Sequence, residues 1–233
     1  MFRPILLLLA LLCSSAYASE ASLKEKLQNN YPQIGQINQV NKAKMLGLYE
    51  VVTDGQLFYT DEKGQYLING SIYELKSMRN LTEERSRKLF AIDFNSLPLE
   101  LAVKKVKGDG KRKLAYFTDP NCGYCKKLEG ELQHVDNITL YRFMFPIFAG
   151  SDEKVRNVLC SKDPNKAWED WMVSGVQPST GNCATQTDKV VALGKKMNVT
   201  GTPTLIFASG QLIPGYLPAD ELEKALNEPA LKR

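Results

Sequence analysis

The chain has 233 residues, 43% of them hydrophobic and 24% charged, with a formal net charge of +4. That length suits one or two globular domains, and that composition excludes a disordered segment, a collagen-like or coiled-coil rod and a large multidomain assembly. The charge is too small and too evenly interspersed to argue for nucleic acid or an anionic membrane as a partner.

The N-terminus carries Arg3, an apolar run over 5–12 and then Ala16-Tyr17-Ala18, a small-x-small pattern that fits cleavage before Ser19. Residues 1–18 are therefore expected to be an export signal. No later stretch approaches the ~20 apolar residues that a bilayer crossing needs, so no membrane span is expected in the mature chain. Ser22 opens a short amphipathic helix that should stop near Pro32. Then β-type runs follow at 34–40, 48–53, 56–60, 66–68 and 71–75, with Asp54-Gly55 as a tight turn and 61–64 as a second. They predict an antiparallel sheet in an α+β N-terminal domain, residues 19–79. This segment is small and holds no cysteine, so its core is thin and calls for a partner surface, on its own chain or on a second copy.

Thr82 followed by Glu83 and Glu84 reads as the cap and first turn of a polar helix running to about Phe94, within a linker helix segment over 80–97. The lysine-rich stretch 104–113 around Gly108-Asp109-Gly110 reads as an exposed hairpin turn. Beyond it, strands at 113–118, 138–145, 204–208 and 211–213 alternate with helices at 123–134, 152–160, 165–173, 187–197 and 219–226. The expectation is a mixed α/β domain over 98–233.

Cys13 falls within the signal, leaving Cys122, Cys125, Cys160 and Cys183, an even set in a chain routed to an oxidising compartment. Cys122 and Cys125 stand close in sequence, which leaves Cys160 and Cys183 as the natural pair. Cys122-Gly123-Tyr124-Cys125 falls where a strand ends and a helix starts, so unpaired amides and the positive end of the helix dipole stabilise a Cys122 thiolate over the thiol. Cys122 is the expected attacking sulfur, and Cys125, one turn inside and more shielded, the resolving one. A stable thiolate is also readily expelled from a mixed disulfide, which suits repeated exchange.

Thr202-Pro203 at the entry to a strand is compatible with a cis peptide bond, which leaves a backbone edge free for an extended peptide. A Cys160–Cys183 bond would close a loop over the helix that carries Trp168 and Trp171; the disulfide reads as structural and the tryptophans as core. Zinc is disfavoured, because Cys160 and Cys183 are far apart and His134 is the only histidine. No metal and no cofactor are expected, and His134 reads as a surface or dipole-compensating residue. The order of elements, with Cys-x-x-Cys opening a helix, then a helical insertion, a hairpin and a last helix, fits a thioredoxin-like domain.

Phe117-Thr118-Asp119 followed by Cys122-Gly123-Tyr124-Cys125, with Gly201-Thr202-Pro203 and Pro214-Gly215-Tyr216 downstream, closely resembles the DsbC/DsbG family of bacterial periplasmic disulfide isomerases. Leu159-Cys160-Ser161-Lys162-Asp163, then Asn165-Lys166-Ala167 and Cys183, match that family's additional structural disulfide. The likeness covers nearly the whole mature chain and is most specific over 114–226; Gly123-Tyr124 and Thr202 fit the DsbC branch. It implies a periplasmic, V-shaped homodimer built by the N-terminal sheet domains, with a peptide-binding cleft and chaperone activity. It also implies misoxidised exported proteins as substrates and a DsbD-type membrane reductase that keeps Cys122 and Cys125 reduced. Two rivals stay open: a dithiol oxidase that donates disulfides, and a peptide-binding chaperone whose cysteines are incidental.

Overall fold

A computed structural model describes residues 15–229 of the chain. The expected signal, residues 1–18, falls for the most part outside the described residues; residues 15–18 belong to the first helix. Contacts divide the chain into two compact units, with the break between Leu89 and Phe90.

In the first unit, α1 (Ser15–Asn30) ends just before Tyr31-Pro32, and Pro32–Ile34 tightens into a 3-10 turn. The strands β1 (Ile37–Lys42), β2 (Tyr49–Thr53), β3 (Leu57–Thr60) and β4 (Leu67–Ile68) pair antiparallel in that order. Leu23 and Leu27, four apart on one face of α1, close over Ile37, Val40, Tyr49, Val51 and Phe58. The fifth expected run does not join this sheet: β5 (Tyr73–Glu74) pairs with β6 (Arg79–Asn80) instead.

Next comes α2 (Leu81–Leu89), and its cap differs from the one expected. Asn80 Oδ1 accepts from the Glu83 N–H at 3.1 Å. Thr82 Oγ1 is spent elsewhere, accepting from the Ile72 N–H at 2.9 Å and sharing a 2.9 Å hydrogen bond with the Tyr59 hydroxyl. The helix also stops well short of Phe94, so it fills only part of the 80–97 stretch expected to be a linker helix. The reason lies in the second unit: Phe94 and Leu97 are drawn into its core, the Ile92 N–H bonds to the Gly210 carbonyl at 2.8 Å, and the Asp93 side chain caps a 3-10 turn at Phe94–Ser96.

The second unit runs β7 (Val103–Lys107), β8 (Arg112–Thr118), α3 (Gly123–Gln133), β9 (Ile138–Met144), α4 (Ser151–Leu159), α5 (Pro164–Ser174), α6 (Thr187–Lys196), β10 (Thr204–Phe207), β11 (Leu212–Pro214) and α7 (Ala219–Leu226). The sheet order is β11-β10-β8-β9-β7, with only β8 and β9 parallel. The lysine-rich turn between β7 and β8 is therefore not a hairpin. The crossover through α3 brings β9 in between the two strands. Gly108, at φ 57°, makes that turn possible, since a Cβ there would stand 2.3 Å from Asn137 Oδ1.

Strand β8 is covered on both faces, and its side chains alternate accordingly. Leu114 and Tyr116 pack with Leu128 and Leu132 of α3 and Leu222 of α7. Ala115 and Phe117 pack with Phe143, Phe145 and Val190 on the other side. Each fully buried Leu or Phe here contributes about 1.5–3 kcal/mol. The inserted helices α4 and α5 supply Val155, Val158, Trp168, Trp171 and Met172 to a third cluster that encloses Cys122 and Cys125. Among the described residues, no helix is long and apolar enough to cross a membrane.

Candidate active site

The chain leaves β8 at Thr118 and passes through Asp119-Pro120-Asn121 before α3 begins. The fully buried Asp119 carboxylate organises this turn. It accepts from the Asn121 N–H (2.7 Å), the Ile147 N–H (2.7 Å), the Phe148 N–H (3.2 Å) and the Ser151 hydroxyl (2.7 Å), which fastens the loop after β9 to the turn that presents Cys122. Cys122 then stands at the N-cap of α3, its sulfur accepting from the Cys125 N–H at 3.2 Å. A sulfur in the capping position faces amides that have no partner inside the helix, so an anion formed there is met by hydrogen-bond donors. On the other side, the Cys122 S–H donates to the Thr202 carbonyl at 3.2 Å, and the Thr202–Pro203 peptide bond is cis.

Cys122, Cys125, Thr202 and Pro203 are thus brought together from two elements, α3 and the lead into β10. Cys122 retains 4% of its surface and Cys125 none. Gly123 is exposed, and a Cβ there would meet no atom within 4 Å, so the helix start beside Cys122 is bare. Burial, and then the facing Cys122 sulfur, push the Cys125 thiol up to about 12, against the pull of the Asp119 backbone and the hydroxyls of Thr202 and Thr118. Roughly one Cys125 in 10⁵ is then ionised at neutral pH.

The rim carries aromatic and cationic groups. Tyr124 is 59% exposed, and its ring lies 6.3 Å from that of Tyr216, with Lys127 Nζ near both. The Tyr216 hydroxyl donates to Glu131 at 2.7 Å, which ties the Pro214-Gly215-Tyr216 segment to α3. Trp171 is buried as expected of a core residue, yet it also braces the site: its Nε1–H donates to the Pro120 carbonyl at 2.6 Å, and Lys154 and Lys126 sit over its ring at 3.8 and 4.2 Å. His134 is an exposed residue at the C-cap of α3. Among the described residues, no group of three or more His, Cys, Asp or Glu side chains could hold a metal ion.

Residues 99–229 match the thioredoxin-like domain family, and residues 14–83 match the disulfide bond isomerase protein N-terminal domain. The probable thiol:disulfide interchange protein DsbC of Bordetella pertussis is 48% identical over 181 residues, 77% of this chain and 65% of that protein; the chain thus spans just under two thirds of that curated relative's length. The thiol:disulfide interchange protein DsbC of Haemophilus influenzae is 30% identical over 230 residues, which are 95% of this chain and 97% of that protein. The chain belongs to the DsbC family. Among solved structures, the disulfide interchange protein from Neisseria gonorrhoeae aligns with a TM-score of 0.54 at 38% identity, over 56% of this chain and 96% of that one.

This DsbC-family chain also holds a buried polar network beneath the cysteine helix, which the sequence reading missed. Glu129, one turn after Cys125 on α3, is fully buried and accepts from the Tyr116 hydroxyl (2.6 Å), from Trp168 Nε1–H (2.7 Å) and from Arg142 at 3.3 Å. Arg142 also reaches Asn165 and Glu169, the latter paired with Lys105 at 2.5 Å. Burial opposes the Arg142 charge, but Glu129, Tyr116 and Glu169 outweigh it and hold the guanidinium above its usual range. Burial pushes the Tyr116 phenol well above its ordinary value. The available signal was an arginine, the one charged residue, in the largely apolar run Ile138-Thr139-Leu140-Tyr141-Arg142-Phe143-Met144.

Cys160 and Cys183 are bonded, with their Cα atoms 5.6 Å apart. Cys160 caps α4, and the closed loop contains the whole of α5. Gly181 lies so near that a Cβ on it would stand 2.5 Å from the Cβ of Cys160, so only glycine fits there.

Proposed function

We propose that this chain is a periplasmic thiol:disulfide isomerase that rearranges non-native disulfides in exported proteins. The observation that carries this reading is the contrast between the two sulfurs: Cys122 at an amide-rich helix start beside Thr202-Pro203, and Cys125 buried and protonated at neutral pH. Cys122, as a thiolate, attacks a substrate disulfide and forms a mixed disulfide while one substrate sulfur leaves as a thiolate. A second substrate thiol then attacks the mixed disulfide, closes a new pairing and returns Cys122. Release through Cys125 competes, but it needs a proton to leave a buried sulfur first, so the mixed disulfide lives long enough to be rearranged. When Cys125 does attack, the enzyme is left oxidised, and a DsbD-type membrane reductase restores it.

Thr202 and Pro203 hold the substrate backbone alongside Cys122, with Gly123 leaving room for its approach. The exposed Tyr124, Ile147 and Phe148, the last two anchored through Asp119, supply apolar contact for unfolded chains and a basis for chaperone activity. Residues 1–18 serve as the export signal, 19–79 as a dimerisation domain, 80–97 as the linker, whose last residues Phe94 and Leu97 pack into the second unit, and 98–233 as the catalytic domain. The exposed Tyr66, Leu67 and Ile68 along the β4 edge favour pairing with a second copy into a homodimer. Cys160–Cys183 is assigned a structural role, and no cofactor, metal or nucleic acid enters the mechanism.

Reactivation of scrambled ribonuclease tests the reading. The unaltered protein restores activity and Cys122→Ser does not; full reactivation by Cys122→Ser would leave only a peptide-binding chaperone. Thiol trapping in cells separates isomerase from oxidase, since a mostly reduced Cys122–Cys125 pair is expected and a mostly oxidised one favours the oxidase.

A further inference from the structure

Two hydroxyls at this site are buried and have no hydrogen-bond partner, Thr118 Oγ1 and Thr202 Oγ1. Thr118 is 0% exposed at the end of β8. A buried hydroxyl left unpaired is costly and rare. The neighbouring Thr204 shows the ordinary solution, donating to the Gly201 carbonyl at 2.8 Å. Thr118 continues the Leu114-Tyr116 face of β8 that packs on α3, the helix carrying Cys125, and Thr202 meets the same helix start through the bond from Cys122 to its carbonyl; both hydroxyls act to lower the Cys125 thiol.

We propose that Thr118, with Thr202 against the same sulfur, is a positioning residue for the resolving step, its hydroxyl kept free so that it can donate to Cys125 as a thiolate. The inference rests on the reading of Cys125 as the resolving cysteine. In the mixed disulfide, Cys125 gives its proton to solvent and its electron pair attacks Cys122 Sγ. The Cys122–Cys125 bond forms as the bond from Cys122 to the substrate sulfur breaks, and that sulfur leaves as a thiolate that takes a proton from solvent. The substrate disulfide is reduced and the enzyme dithiol oxidised, with no other reagent. Apart from Cys122, the nearby ionisable groups are already engaged: Asp119 accepts from four donors, Glu129 is held by Tyr116, Arg142 and Trp168, and Lys126 and Lys154 lie on Trp171. The two threonines therefore set how fast a mixed disulfide is abandoned, and so the balance between isomerisation and reduction.

The test uses the full reduced chain and Ellman's reagent at one equivalent, followed by stopped flow from pH 5 to 10. Attack by Cys122 releases the first thionitrobenzoate, and attack by Cys125 on the mixed disulfide releases the second. In Thr118→Val the second phase is expected to slow relative to the first by roughly tenfold or more at every pH in this range, the worth of one hydrogen bond to a charged group, while the first phase keeps its pH profile. Thr118→Ser, which keeps the hydroxyl, restores the second phase; Thr118→Ala gives the same reading should the valine variant not fold. An unchanged second phase in Thr118→Val, or slowing that serine does not rescue, overturns the proposal. A second release that persists in Cys125→Ala overturns the underlying reading instead.

Discussion

Glu129 and Arg142 form an ion pair with side-chain exposures of 0% and 1%, directly beneath the helix that carries the cysteines. A buried pair of this kind gains little over an apolar substitute, but removing one partner strands the other charge. Glu129→Ala is therefore expected to lower stability by about 3–5 kcal/mol in urea unfolding, whereas a change at exposed Glu62 stays within about 0.5 kcal/mol. Cys125 makes a second prediction at this scale. Its thiol is raised from the ordinary 9.0 to about 12, so the folded state holds the proton where the unfolded chain has lost it. The stability this contributes is complete below about pH 9 and is lost as pH rises toward about 12, at ~1.4 kcal/mol for each unit of difference. Reduced protein should lose stability over pH 9–11 more steeply than Cys125→Ala; parallel curves for the two would contradict this. The chemistry-bearing residues were legible because each announces itself locally: two cysteines three apart at a strand-to-helix junction, and a proline before a strand. Asp119, Glu129 and Arg142 were not, because their partners lie far along the chain and no local pattern joins them.

At the scale of elements, what short-range pattern dictates and what packing imposes separate cleanly. The helices α3, α5 and α7 fall within about a residue of where caps, prolines and apolar spacing place them, and β8 reads as a strand from its run Leu114-Ala115-Tyr116-Phe117. Helix α2 is the contrary case. Its expected span runs on to about Phe94, but burial of Phe94 and Leu97 is worth more than another turn of exposed helix. The turn between β7 and β8 looks like a hairpin because hairpin signals are local, and the insertion of β9 is decided by the crossover that follows. The disulfide over α5 gives this scale its prediction. Replacing Cys160 and Cys183 together by Ala should cost about 3 kcal/mol by loop entropy, read in urea unfolding, with scrambled-ribonuclease reactivation retained at low temperature. Loss of reactivation in a folded double variant would show that this pair takes part in the exchange itself.

For the whole molecule, the family follows from a cysteine motif, a proline and an additional cysteine pair set in a fixed order, which is why it could be read before any coordinates. The proposed pairing of copies is less visible in the sequence, because an exposed apolar residue such as Leu75 or Met78 looks the same in a string of letters as a buried one. A chain starting near Leu81 should sediment as a monomer, keep its reaction with Ellman's reagent and lose most scrambled-ribonuclease reactivation; a dimer from that truncated chain would remove the role given to residues 19–79. The account rests above all on Cys122 as the sulfur that joins substrate. Its most direct test is to express Cys125→Ala in a periplasm, quench with acid and separate the extract without reductant. A ladder of adducts between this protein and exported chains, abolished when Cys122→Ser is added, is the predicted result; the absence of adducts, or a ladder that survives Cys122→Ser, would contradict it.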